Sequence, residues 1–264
     1  MCISFNHARE KSPSLVSIFE LRISIIVFFP EKMSLEQLLT LEGVGRISRF
    51  LETCPGRDKV MRTLQYASKL VAHVYQQQTG LGPKDSRLIL KLELLAKTLG
   101  DGRRLFRVGK YIGTALAVQR GVTSIQHGLQ KSSAIPHLTI HNVVLRNLAL
   151  TLYYLLDQYV WLARLKLIEG AKLDAYSLYA MRFWSISSAI SLFCDLYVFH
   201  FHPPKTAEGL ESLKLKIVKN ICDMPLAFTS SFPKYASSVS PTLTNASGLV
   251  SSVAGLILAW HDVK

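Results

Sequence analysis

Residues 84–112 read KDSRLILKLELLAKTLGDGRRLFRVGKYI. Set on a helix, Leu88, Leu92, Leu95, Leu99 and Phe106 recur at intervals of three, four or seven and fall on one narrow apolar face. Arg103, Arg107 and Lys110 lie along the flank of this stripe, where aliphatic stems can rest on apolar surface while the charged heads meet water or phosphates. An amphipathic helix with basic flanks suits an anionic phospholipid surface. The alternative is that the stripe packs on a neighbouring helix, since Leu90, Leu94, Leu105 and Val108 interrupt its polar side. Gly100 and Gly102 each weaken a helix by about 1 kcal/mol relative to alanine, so a bend or break is expected there.

Working outward, the 264-residue chain is long enough for a sizeable core. It carries 31 Lys and Arg against 18 acidic residues, a net charge of +13, while 49% of it is hydrophobic. Basic and apolar together point to a membrane. A nucleic-acid partner would call for clustered cations with exposed aromatics, and the cations here are spread along helix faces. Cys2, Cys54, Cys194 and Cys222 lie far apart without a CxxC pair, so neither a metal site nor a disulfide scaffold is indicated.

The spacing predicts an all-α chain, a membrane-associated helical bundle of hairpins with amphipathic helices and a C-terminal membrane helix. Residues 1–32 read as an extension, and Met33 as a second translation start. Residues 33–128 form an amphipathic-helix region, in which Val60, Leu64, Ala67, Val71 and Val74 make an apolar stripe opposite Arg62, Gln65, Lys69 and Gln76. This helix and the 84–112 helix should form a hairpin with apolar faces inward, or lie together on a membrane. Residues 137–202 form a hydrophobic helical hairpin turning near Gly170, with Arg146, Asp157, Arg182 and Asp195 inside it. These four charges would pair across the hairpin, lie at the interface, or line a pore for small metabolites.

Residues 205–264 give an amphipathic helix, a Ser/Pro/Thr-rich loop over 229–242 and the best spanning candidate, Leu243 to Trp260. On that last helix Ser247, Ser251, Gly255 and Ala259 recur every fourth position beside Gly248 and Ser252, a surface on which helices approach closely in lipid and copies self-associate. No nucleophile elbow, zincin pair or phosphate-cradling loop is present, so no enzyme, cofactor or metal chemistry is expected.

Six separated stretches carry a family likeness: GRDKVMRTLQY at 56–66, LGDGRRLFRVGK at 99–110, LLDQYVWLARLKLI at 155–168, SLFCDLY at 191–197, VKNICD at 218–223 and GLVSSVAG at 248–255. In this order and spacing the chain resembles the peroxin eleven family, membrane proteins that elongate and divide peroxisomes. The resemblance implies a helical, homo-oligomeric protein of the peroxisomal membrane that recruits fission adaptors and a dynamin-like GTPase. It also places the family's membrane-remodelling helix on residues 84–112, with its apolar face at Leu88, Leu92, Leu95, Leu99 and Phe106 and its basic side at Arg103, Arg104, Arg107 and Lys110. The extension before Met33 has no counterpart in the family pattern.

Overall fold

The computed structural model describes residues 40–126, 137–168 and 172–263, with side chains at 137–141 excepted. The extension, Met33, the 131–136 loop and the Gly170 turn lie outside the described residues. Among those described the chain is all-helical: α1 (Leu41–Glu52), α2 (Cys54–Thr79), α3 (Arg87–Leu105), α4 (Lys110–Gln126), α5 (His137–Arg164), α6 (Leu173–Phe201), α7 (Ala207–Ser231), a 3-10 turn (Pro233–Ser238) and α8 (Pro241–His261). The residues up to Val44 form a separate unit from Gly45–Lys264. In the first, Thr40 opens α1 by accepting from the Gly43 N–H at 3.1 Å.

Local chemistry sets the helix ends of the larger unit. Thr53 caps α2 by accepting from the Gly56 N–H at 2.9 Å, and the helix stops at Gly80, whose φ of 69° is one that side-chain-bearing residues rarely adopt. Ser86 accepts from the Ile89 N–H and Thr206 from the Gly209 N–H, capping α3 and α7. The α3–α4 joint is a tight turn closed by bonds such as Lys110 N–H to Arg107 carbonyl at 3.1 Å, with Gly109 at φ 76°. The break expected at Gly100 and Gly102 therefore falls later. A Cβ on Gly100 would stand 2.5 Å from Gln65 Nε2, so that glycine serves close approach of α3 to α2.

Packing runs from α3 to α2, α2 to α8, α8 to α7, α7 to α6, α6 to α5 and α5 to α4, with α3 also reaching α5. The α3–α4 joint thus closes a circuit of helices. Gly248 of α8 faces Tyr66 and Gly255 faces Lys59, so α2 and α8 run antiparallel.

The expected loop over 229–242 is mostly helical. Thr229 and Ser231 sit in the last turn of α7, where Thr229 Oγ1 donates to the Pro225 carbonyl at 2.9 Å and Ser231 Oγ to Met181 of α6 at 3.1 Å. These hydroxyls are satisfied inside a helix, so their density did not signal a loop.

Polarity is partly inverted relative to a soluble bundle, while Leu70, Ile89, Val160 and Leu226 keep an apolar core. Asp58, Arg62, Asp157 and Asp223 are buried, while Leu64, Val71, Leu94, Leu105, Ile186, Phe193 and Phe228 stand exposed. On α2, whose stripe would face inward in a hairpin or lie on a membrane, Leu64 is 52% exposed and Arg62 only 8%. An apolar surrounding outside the bundle would favour this orientation, with paired charges as its interior.

Candidate functional site

The α3–α4 segment brings an apolar outer surface and a charged inner one together. Leu88 and Leu95 are exposed, whereas Leu92, Leu99 and Phe106 are half-buried. Leu90, Leu94, Leu105 and Val108, read from sequence as interruptions of the polar side, are exposed as well. The outward apolar surface is therefore broader than the narrow sequence stripe, and it continues onto α4 through Ile112 and Leu116. Ile89 and Ala96 form the buried contact with the rest of the bundle.

The basic side departs from expectation. Instead of standing free toward water or phosphates, its cations turn inward and close a clasp between α2 and α5. Arg103 Nε lies 2.9 Å from Asp58 Oδ1 and its Nη1 donates to Gln65 Oε1 at 2.8 Å. Arg104 meets Asp157 at 3.3 Å and Asp101 at 2.5 Å. Arg107 lies 3.2 Å from the other Asp157 oxygen and donates to the Tyr153 hydroxyl. Lys110 stands 3.9 Å from Asp58. The physical reason is that guanidinium groups turned toward neighbouring helices are stabilised by the buried carboxylates of Asp58 and Asp157.

Burial alone would raise the Asp58 carboxyl. Arg103, Lys110 and Lys59 outweigh it and hold this group below its ordinary range. A carboxylate with a depressed folded-state pKa contributes stability above its unfolded value, about 3.9, and loses that contribution as pH falls through the folded value. Unfolding of the solubilised protein should accordingly show a stability loss that begins below about pH 4, and Asp58→Asn should flatten the part of that acid slope due to this group. Chemical denaturation at successive pH values checks it.

The charges of the α5–α6 hairpin do not pair across it. Asp157 belongs to the clasp, Asp195 accepts from Asn220 Nδ2 of α7 at 2.7 Å, Arg182 Nε donates to the Ser231 carbonyl at 3.5 Å, and Arg146 contacts its neighbour Asn147 at 3.2 Å. Helices distant in sequence supply most of these partners.

The small-residue face of α8 is likewise occupied within the chain. Gly248, Ser251, Ser252 and Gly255 are buried, and Ser247 and Ala259 half-buried. Gly248 lies against Tyr66 and Gly255 against Lys59 of α2. Ser251 Oγ donates to Asp223 Oδ1 of α7 at 2.5 Å, and Ser252 Oγ to the Gly248 carbonyl. The close approach read from the sequence joins helices within the chain. Asp223 also takes Arg62 at 2.5 Å and Lys219 at 3.3 Å, a junction of α2, α7 and α8 that the sequence reading missed. Its one signal was the i, i+4 recurrence of Asp58 and Arg62 on a polar face as regular as the apolar one.

Helix α8 is the one described helix long and apolar enough to cross a membrane, with a mean hydropathy of 1.4 over a window only 39% buried in the chain. Paired charges within, leucine and phenylalanine without, and one helix of spanning length define the construction of a membrane protein. Residues 44–209 match the model of the family described as Peroxisomal biogenesis factor 11 (PEX11). The chain belongs to this family and is a protein of the peroxisomal membrane acting in peroxisome biogenesis. It is 26% identical over 239 residues to peroxisomal membrane protein 11A of Rattus norvegicus, covering 76% of this chain and 90% of the relative. To the Homo sapiens protein of the same name it is 23% identical over 256 residues, covering 82% and 97%. No solved structure matches. The family is one of membrane biogenesis factors.

Proposed function

We propose that the protein is a non-enzymatic shaper of the peroxisomal membrane, driving elongation, fission and proliferation by seating the outer surface of α3 in the cytosolic leaflet. The supporting observation is the exposure of Leu88, Leu94, Leu95, Leu105 and Val108 on the side of α3–α4 away from the clasp. Each buried leucine contributes about 1.5–3 kcal/mol, so a few hold the helix at the interface and expand one leaflet relative to the other. Helix α8 anchors the bundle.

Self-association and recruitment of fission factors, including a dynamin-like GTPase and its adaptors, belong to the same proposal. With the small-residue face of α8 occupied, contact between copies falls to exposed apolar faces such as Ile186 and Phe193 of α6. Replacing Leu88 and Leu95 by Asp should abolish tubulation of anionic liposomes by the reconstituted full-length protein, read by electron microscopy. Tubulation equal to that of the parent would show that the α3 surface is not the wedge.

A further inference from the structure

One cleft, formed by α2, α3 and α8, is lined mainly by polar side chains. Its volume is about 420 Å³, within the range of small-molecule sites and larger than a bare phosphate ion requires. Lys69, His73 and Gln76 of α2, Glu93 and Lys97 of α3 and Asn245 of α8 line it. Among the described residues neither lysine has a carboxylate partner: Lys69 touches only the face of Tyr66, 5.3 Å from the ring centre. The side-chain amides of Gln76 and Asn245 have no protein partner among the described residues, while His73 is held by Thr242 Oγ1 at 3.0 Å.

Two free ammonium groups suit a phosphate, and two amides with one carboxylate suit several hydroxyls, since Glu93 can accept from a hydroxyl but repels an anion. This donor set describes a phosphorylated polyol. Asn245 lies in the second turn of α8, at the end of the candidate span, where a bilayer presents its headgroups. Exposed Leu94 and Leu95 on α3 offer apolar surface in the same part of the helix for acyl chains.

We infer that the cleft between α2, α3 and α8 binds the phosphorylated inositol headgroup of an anionic phospholipid. This rests on the reading that α3 lies on the membrane. The cleft adjoins the clasp, since Gln65 lines its wall and accepts from Arg103 Nη1 at 2.8 Å.

The test is binding of dioctanoyl phosphatidylinositol 4-phosphate to the full-length protein in neutral detergent, where no bilayer can be curved. Lys69→Gln with Lys97→Gln should weaken binding at least about tenfold, and Asn245→Leu about threefold or more, with helicity and melting unchanged. Lys205→Gln with Lys214→Gln, exposed before and on α7, should leave affinity as it is. Soluble inositol 1,4-bisphosphate should bind the same site more weakly, and inorganic phosphate weakest. Equal losses in the α7 and cleft variants, or none in either, would overturn the assignment, as would inorganic phosphate binding as tightly as the lipid. Leu88→Asp with Leu105→Asp, exposed wedge positions that do not line the cleft, should retain headgroup affinity, so failure of the wedge and failure of the cleft read differently.

Discussion

Asp223→Ala should unfold or nearly unfold the protein. This carboxylate takes Arg62 at 2.5 Å, Lys219 at 3.3 Å and the Ser251 hydroxyl at 2.5 Å, and is 2% exposed. Truncation leaves Arg62 buried beside Lys59 and Lys219 without its ion-pair partner. Breaking a buried pair from one side costs about 3–5 kcal/mol, a large share of the roughly 5–15 kcal/mol that holds a typical domain. The loss should be visible as a lowered melting temperature in detergent. The double variant Arg62→Leu with Asp223→Leu should recover most of it, because no unpaired arginine then remains. If Asp223→Ala melts with the parent, the junction of α2, α7 and α8 is not held by these charges.

The second large effect is steric. A Cβ at Gly248 would stand 2.3 Å from Cδ1 of Tyr66 and 2.8 Å from its Cγ, and an overlap at the root of a ring cannot be relieved by a small rotation. Gly248→Leu should therefore part α2 from α8 and cost about 1–3 kcal/mol or more. Tyr66→Ala in the same chain should restore part of it by making room. Gly255→Ala serves as the contrast, since its Cβ would meet the Lys59 side chain at 3.4–3.6 Å, an ordinary contact, and stability should change little. Thermal unfolding of the three variants decides between close packing of this helix pair and a looser contact.

Helix positions were largely legible in the sequence, because they follow from periodicity and punctuation. The 137–202 hairpin ends before Pro203 and Pro204, and Gly80 stops α2 where its left-handed φ is needed. Orientation was not legible. An apolar stripe such as Leu64 and Val71 has the same period whether it faces a core or a lipid, and only the placement of Arg62 and Asp58 among other helices fixes the choice. Partners were hidden for a related reason: Arg103 and Asp58 are 45 residues apart, and Arg62 and Asp223 are 161 apart, so no local spacing announces them. Thus Arg103, Arg104, Arg107 and Lys110 were recognisable as a group, while their carboxylates were not. The face of α8 carrying Gly248 and Gly255 was also recognisable as one of close approach, yet composition says nothing of whether the approaching helix belongs to the same chain.

The most direct measurement of the inverted bundle is spin-label accessibility in the reconstituted full-length protein. Single nitroxides at positions 95, 105 and 193 should be relaxed strongly by oxygen, which partitions into lipid, and weakly by a water-soluble nickel chelate, with a label at 205 showing the opposite preference. Nickel accessibility at 95, 105 and 193 equal to that at 205 would place those leucines and that phenylalanine in water and contradict a lipid-facing exterior.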